Sequence, residues 1–194
     1  MVQKPEAEAA LEAYSAALVD AYQSRLAAKM GLAAHSRPLA GELLSRMAAD
    51  GADFTNLFRS LSTVSSAEPV GAAAGELPPA LAAAVGGDAL PAEARAAWAE
   101  WLRAYRAALR ADGVPDAARA AAQDAMNPNY IPRQHLLHAA IGSAEAGDFE
   151  PVRRLAAVLQ RPYANQGPAA EAFRAPPPPE LAGKPGVCLL SCSS

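Results

Sequence analysis

Two thiols close the chain. Cys188 and Cys192 stand four residues apart in Cys188-Leu189-Leu190-Ser191-Cys192-Ser193-Ser194, where an exposed sulfur is open to oxidation or to pairing with a partner. Nothing beside them in the sequence lowers a thiol pKa, so the residues alone read as inert tail cysteines. His135 and His138, at i and i+3, put two imidazoles on one helical face. A metal site needs further ligands, and no cysteine or Glu-x-x-His pattern lies near, so a structural or surface role is the reading and no metal is expected. Gly86-Gly87 lacks the Lys-Ser or Lys-Thr of a phosphate loop, and there is no Gly-x-Gly-x-x-Gly. Asp53-Phe54-Thr55 resembles the metal-binding Asp-Phe-Gly of phosphoryl-transfer enzymes only superficially, because its companions are missing. Asp53 reads as a helix cap.

Asn127-Pro128-Asn129-Tyr130-Ile131-Pro132-Arg133 is more informative. Two prolines force extended backbone, asparagine side chains can bond neighbouring amides, and Arg133 can clamp carbonyls or a carboxylate. The plain reading is a rigid connector between helices; the alternative is a contact with a ligand or a neighbouring domain.

The elements that must position these residues are helices. Leu11, Tyr14, Leu18, Tyr22, Leu26 and Met30 recur at spacings of three and four before Gly31, which predicts one apolar face on a first helix. Pro38 opens a second helix close to residues 38 to 50, and Asp53 caps a short third with Phe54, Leu57, Phe58 and Leu61. Residues 62 to 91, rich in Ser, Pro and Gly around a short Ala-rich stretch, predict a flexible insertion with at most one helical turn or two. Pro91 then opens a helix whose Trp98, Trp101, Leu102, Tyr105 and Leu109 make a wide stripe, closed by Gly113. Helices over 115 to 126, over Leu136 to Ala144, and after an Asp148 cap complete the set. From Pro162 on, seven of the chain's 17 prolines appear and helical periodicity stops. The fold class is all-α, with a helical lobe over 1–161 and an extended Pro-rich tail over 162–194 ending in Cys-Ser-Ser.

Composition narrows the function classes. The 194 residues suffice for one ordinary core, and aromatic residues at 6% make that core thin, as suits a lobe leaning on a larger chain. A net charge of −3 with scattered Lys and Arg gives nucleic-acid binding no support. No apolar run approaches the roughly 20 residues of a bilayer span, and the opening is not a secretory signal, so no membrane partner is expected.

Taken in order, several segments resemble the C-terminal portion of the selenoprotein O family. They are Lys29-Met30-Gly31-Leu32, Asp53-Phe54-Thr55 with Phe58-Arg59, Trp98 with Trp101, Asn127-Pro128 with Arg133, Gly147-Asp148-Phe149, Pro162-Tyr163, and Cys192-Ser193-Ser194. Departures gather in the connector and tail, at Asn129, Pro132, His135, Ala164, Asn165 and Leu181. The resemblance implies a helical C-terminal lobe of a kinase-like protein that transfers AMP from ATP, with Mg²⁺, to Ser, Thr or Tyr hydroxyls of proteins. It implies that the catalytic and nucleotide-binding residues lie upstream, so none is expected in this chain, and that the kinase-like lobe of the same full-length protein is the partner through which protein substrates are met. Cys192 falls at the family's terminal selenocysteine or cysteine, which implies a redox-sensitive arm. Asn127, Pro128, Arg133, Asp53 and Asp148 are then structural motif residues. Family members are mitochondrial in eukaryotes and cytoplasmic in bacteria. The rival reading is a stand-alone helical interaction module without nucleotide chemistry.

Overall fold

The computed structural model describes residues 4–67, 76–185 and 187. Among them the secondary structure is helical, with no β-strand. The chain divides into two compact units, Met1–Met126 and Asn127–Ser194.

In the first unit, α1 runs Lys4–Met30, α2 Arg37–Asp50, α3 Phe54–Ser60, α4 Pro79–Ala84, α5 Ala92–Asp112 and α6 Asp116–Met126. A 3₁₀ turn, Leu61–Thr63, extends α3, and another, Gly87–Ala89, follows α4. Local sequence sets the ends. Pro38 lies in the first turn of α2 and Gly51 closes it in the left-handed region at φ 63°. Asp53 caps α3: its Oδ1 accepts the Asn56 N–H at 2.9 Å.

The core forms on α5, whose Trp98, Trp101, Leu102, Tyr105 and Leu109 are all buried. Trp98 and Trp101 meet edge to face with ring centroids 5.9 Å apart, and Trp101 stacks on Tyr105 at 5.1 Å. Each polar tip finds a partner: Trp98 Nε1 donates to Asp50 Oδ2 at 2.7 Å, Trp101 Nε1 to the Leu39 carbonyl at 3.0 Å, and Tyr105 OH to the Met30 carbonyl at 2.6 Å. Large aromatic surface is thereby removed from water without an unsatisfied donor.

Within the Ser-, Pro- and Gly-rich stretch, residues 77 to 90 form α4, under two turns long, and its flanking turns, and Leu77, Leu81, Val85 and Leu90 enter the core. The first three recur every four residues, one helical face, and Pro79 in the first turn opens the helix rather than breaking it. The Asp53 N–H donates to the Ala84 carbonyl at 3.0 Å, tying α4 to the start of α3. α1 carries its apolar residues on one helical face as the spacing predicts, but only Leu26, Ala27 and Met30 of it are buried, and residues 4–22 are exposed throughout.

In the second unit, α7 (Gln134–Glu145) and α8 (Glu150–Leu159) pack against each other across a turn in which Gly147 has φ 92°. A 3₁₀ segment, Pro168–Phe173, and the short α9, Pro179–Ala182, follow. The core is small: Tyr130, Val158 and Ala170, with Leu159 and Phe173 against them. Tyr130 comes from the connector, and Ala170 and Phe173 from beyond Pro162. The connector, the helical hairpin and part of the proline-rich stretch therefore share one cluster in this unit.

Candidate functional site

Arg119 and Gln123 of α6 are buried polar residues, 3% and 0% exposed, one turn apart on a helix otherwise built largely of alanine. Arg119 donates to the carbonyl oxygens of Leu61, at 3.2 Å, and Val64, and to Gln123 Oε1. These carbonyls lie at the C-terminal end of α3 and its 3₁₀ extension, where backbone carbonyls carry partial negative charge, so a guanidinium fork suits them. Gln123 Nε2 in turn donates to the Lys29 carbonyl and to Tyr105 Oη, both at 3.3 Å.

Gly31 completes the node. A Cβ there would lie 2.5 Å from Gln123 Cδ, and its φ of +68° is the left-handed region that closes α1. Burial pushes the Tyr105 hydroxyl up to about 12, against the opposing pull of the Arg119 charge and the Gln123 hydrogen bond. Asp116, at the start of α6, accepts from Ser65 Oγ at 2.9 Å and from the Ser66 N–H. Its partial burial works against the charge, but those bonds and Arg119 outweigh it and hold the carboxyl below its ordinary range.

Segments that carry the resemblance meet in this unit. Lys29 Nζ sits 5.6 Å from the Phe58 ring centroid and 5.9 Å from that of Phe54, a cation over two aromatic faces. Burial lowers the Lys29 pKa. Arg59 Nη1 donates to the Asp124 carbonyl at 2.8 Å. Lys29, Phe58, Arg59, Trp98 and Trp101 are thus parts of one packing arrangement.

In the second unit the connector and the Pro162-Tyr163 segment are fastened through one atom. The Pro162 carbonyl accepts the N–H groups of Asn129 at 2.7 Å and Tyr130 at 3.1 Å. Tyr130 Oη accepts the Gln166 N–H at 3.2 Å, while Gln166 Nε2 donates to the carbonyls of Val158 and Arg161. Asn127 and Asn129 are buried, and Pro128 and Arg133 partly so. Asp148 lies one residue before the cap position of α8, which Phe149 occupies, and its Oδ1 accepts the Glu150 N–H at 2.9 Å. The two histidines part company: His135 is buried and His138 exposed. Burial, and then the charge of Arg133, lower the His135 pKa. A cleft of about 380 Å³ lies between α7, α8 and the 3₁₀ segment, lined by Leu136, Ala140, Leu155, Ala172 and Phe173 with Arg154 at its edge. Cys188 and Cys192 lie outside the described residues.

These arrangements hold backbone and rings in place. Among the described residues no group of three His, Cys, Asp or Glu side chains comes together to hold a metal ion, and the sequence has no glycine loop for phosphates. Arg119 and Gln123 escape a sequence reading tuned to apolar periodicity, although Asp116, Arg119 and Gln123 recur at spacings of three and four where an alanine-rich helix has no large side chain to bury.

Comparison with known proteins bears on the whole chain. The family model for protein adenylyltransferase SelO matches residues 1–160. A protein nucleotidyltransferase YdiU of Alkalilimnicola ehrlichii is 42% identical over 167 residues, covering 82% of this chain and 30% of the relative. Those of a Bradyrhizobium species and of Myxococcus xanthus are 40% and 37% identical, covering 90% and 92% of this chain and 33% and 34% of the relatives. The chain spans about a third of the length of these curated relatives.

Proposed function

The chain belongs to the family of protein adenylyltransferase SelO, and on that premise we propose that it is the helical part of a longer protein nucleotidyltransferase that moves AMP from ATP to Ser, Thr or Tyr hydroxyls of proteins. The match of the family model over 1–160 carries this reading. We place the nucleotide and Mg²⁺ sites on the part of the full-length protein outside this chain, a reading supported by the lack of a glycine loop for phosphates in this sequence. The role left to this chain is to support the catalytic lobe. A helix framework whose polar tips are locked, as at Tyr105 and Gln123, suits a rigid buttress. In the same reading Cys192 is a redox-sensitive arm that reaches the catalytic lobe.

Replacing the matched third of the Alkalilimnicola relative by this chain tests the proposal. The full-length chimera should label protein substrates from ATP radioactive at the α-phosphate, and the 194-residue chain should neither label them nor bind MgATP in calorimetric titration. Transfer by the isolated chain, or a folded but silent chimera, would overturn it. For the arm, oxidant should change the chimera's activity reversibly and Cys192→Ser should remove that response; an identical response in both sinks this part.

A further inference from the structure

α1 is the least covered element of the first unit. Leu11, Tyr14, Leu18 and Tyr22 fall within an arc of about 80° at 100° per residue, and they are 65%, 64%, 54% and 56% exposed. The stripe runs over about 17 Å of helix and is continuous with Leu26 and Met30, which enter the core. In proteins most helical stability comes from packing an apolar face. A stripe of four large apolar side chains on one face is also more than the scattered exposure ordinary surfaces show. Such a face is built to be covered.

We propose that this stripe is the docking face for the part of the full-length polypeptide that the chain does not span, and that it seats as a helix in an apolar groove rimmed by Lys or Arg. The inference deepens the buttress reading and rests on its premise that the chain is part of a longer protein. Two observations favour this occupant. The chain covers only about a third of its relatives' length, so a large folded partner belonging to the same polypeptide is to hand. Residues 4–22 carry four carboxylates, Glu6, Glu8, Glu12 and Asp20, against one lysine, Lys4, and Glu8 and Glu12 flank the stripe. That sign selects a basic rim and disfavours both an anionic lipid surface and a parallel second copy of the same acidic helix.

Hydrogen exchange on the isolated chain and on the chimera described above tests this. Amides of residues 6–22 should exchange fast in the isolated chain and about 100-fold more slowly in the chimera. Combining Leu11→Asp, Leu18→Asp and Tyr22→Asp should abolish the slowing, and Asp20→Ala, on the opposite face, should preserve it. Equal exchange in the two proteins overturns the proposal. So does slowing in the isolated chain that grows with its own concentration, which would make a second copy the occupant, or slowing on phosphatidylserine vesicles. If the chimera does not fold, the same measurement on the unmodified Alkalilimnicola relative decides, through protection or its absence in the helix aligned with α1. A chimera that transfers AMP with α1 unprotected overturns this inference alone; one with α1 protected but no transfer overturns the functional reading alone.

Discussion

α1 and α5 are the two long helices of the first unit, 27 and 21 residues, and both carry large apolar side chains at helical spacing. Their fates are opposite. Trp98, Trp101 and Tyr105 on α5 are removed from water completely, whereas Leu11, Tyr14, Leu18 and Tyr22 on α1 stay in it. Periodicity thus specifies that a face is to be covered without specifying what covers it. The aromatic face finds partners within 126 residues of chain, from α1's last turn to α4. The first five turns of α1 stay exposed, because the helix enters the core only from Leu26 onward.

That contrast is open to direct attack. The largest effect belongs to Trp98→Ala, which empties a fully buried ring site and strands Asp50's hydrogen bond; unfolding in denaturant should show a loss of about 3 to 5 kcal/mol. An unshifted midpoint would contradict the buried α5 face. Next comes alkaline pH. Tyr105 ionises about two pH units higher in the folded chain than its usual value near 10, so its contribution is complete below pH 10 and is lost as pH rises from 10 to 12. The loss should approach roughly 3 kcal/mol and be absent in Tyr105→Phe, which has its own constant deficit from the missing Met30 bond. Asp53→Ala removes the α3 cap, and a loss of about 1 kcal/mol is expected, read as a modest fall in melting temperature. The smallest effect is the sharpest test of the comparison. Leu18→Ala in the isolated chain should change stability by no more than about 0.5 kcal/mol, and a loss of several times that would show that α1 is packed after all.

Much of this was open to sequence reading. The ends of α2, α3 and α5 follow from Pro38, Gly51, Asp53, Pro91 and Gly113, each acting through local backbone geometry. The SelO family relationship likewise sits in short segments, and the all-α class in spacings of three and four. Other features were not open to it. α4 is legible only as a turn or two of helix, because six residues give too short a window for periodicity, and its place in the core is settled by the burial of Leu81 and Val85. Arg119 and Gln123 look like surface residues of a polar helix until the carbonyls of Leu61, Val64 and Lys29 converge on them.

The sequence by itself determined where helices start, stop and turn an apolar face, since capping, proline placement and side-chain spacing act over one or two turns. Tertiary structure alone decided which faces are covered, that Tyr130 and Ala170 share a core across forty residues, and that one carbonyl, Pro162's, anchors the connector. Burial and buried hydrogen bonds depend on partners distant in sequence, and no local pattern names those partners.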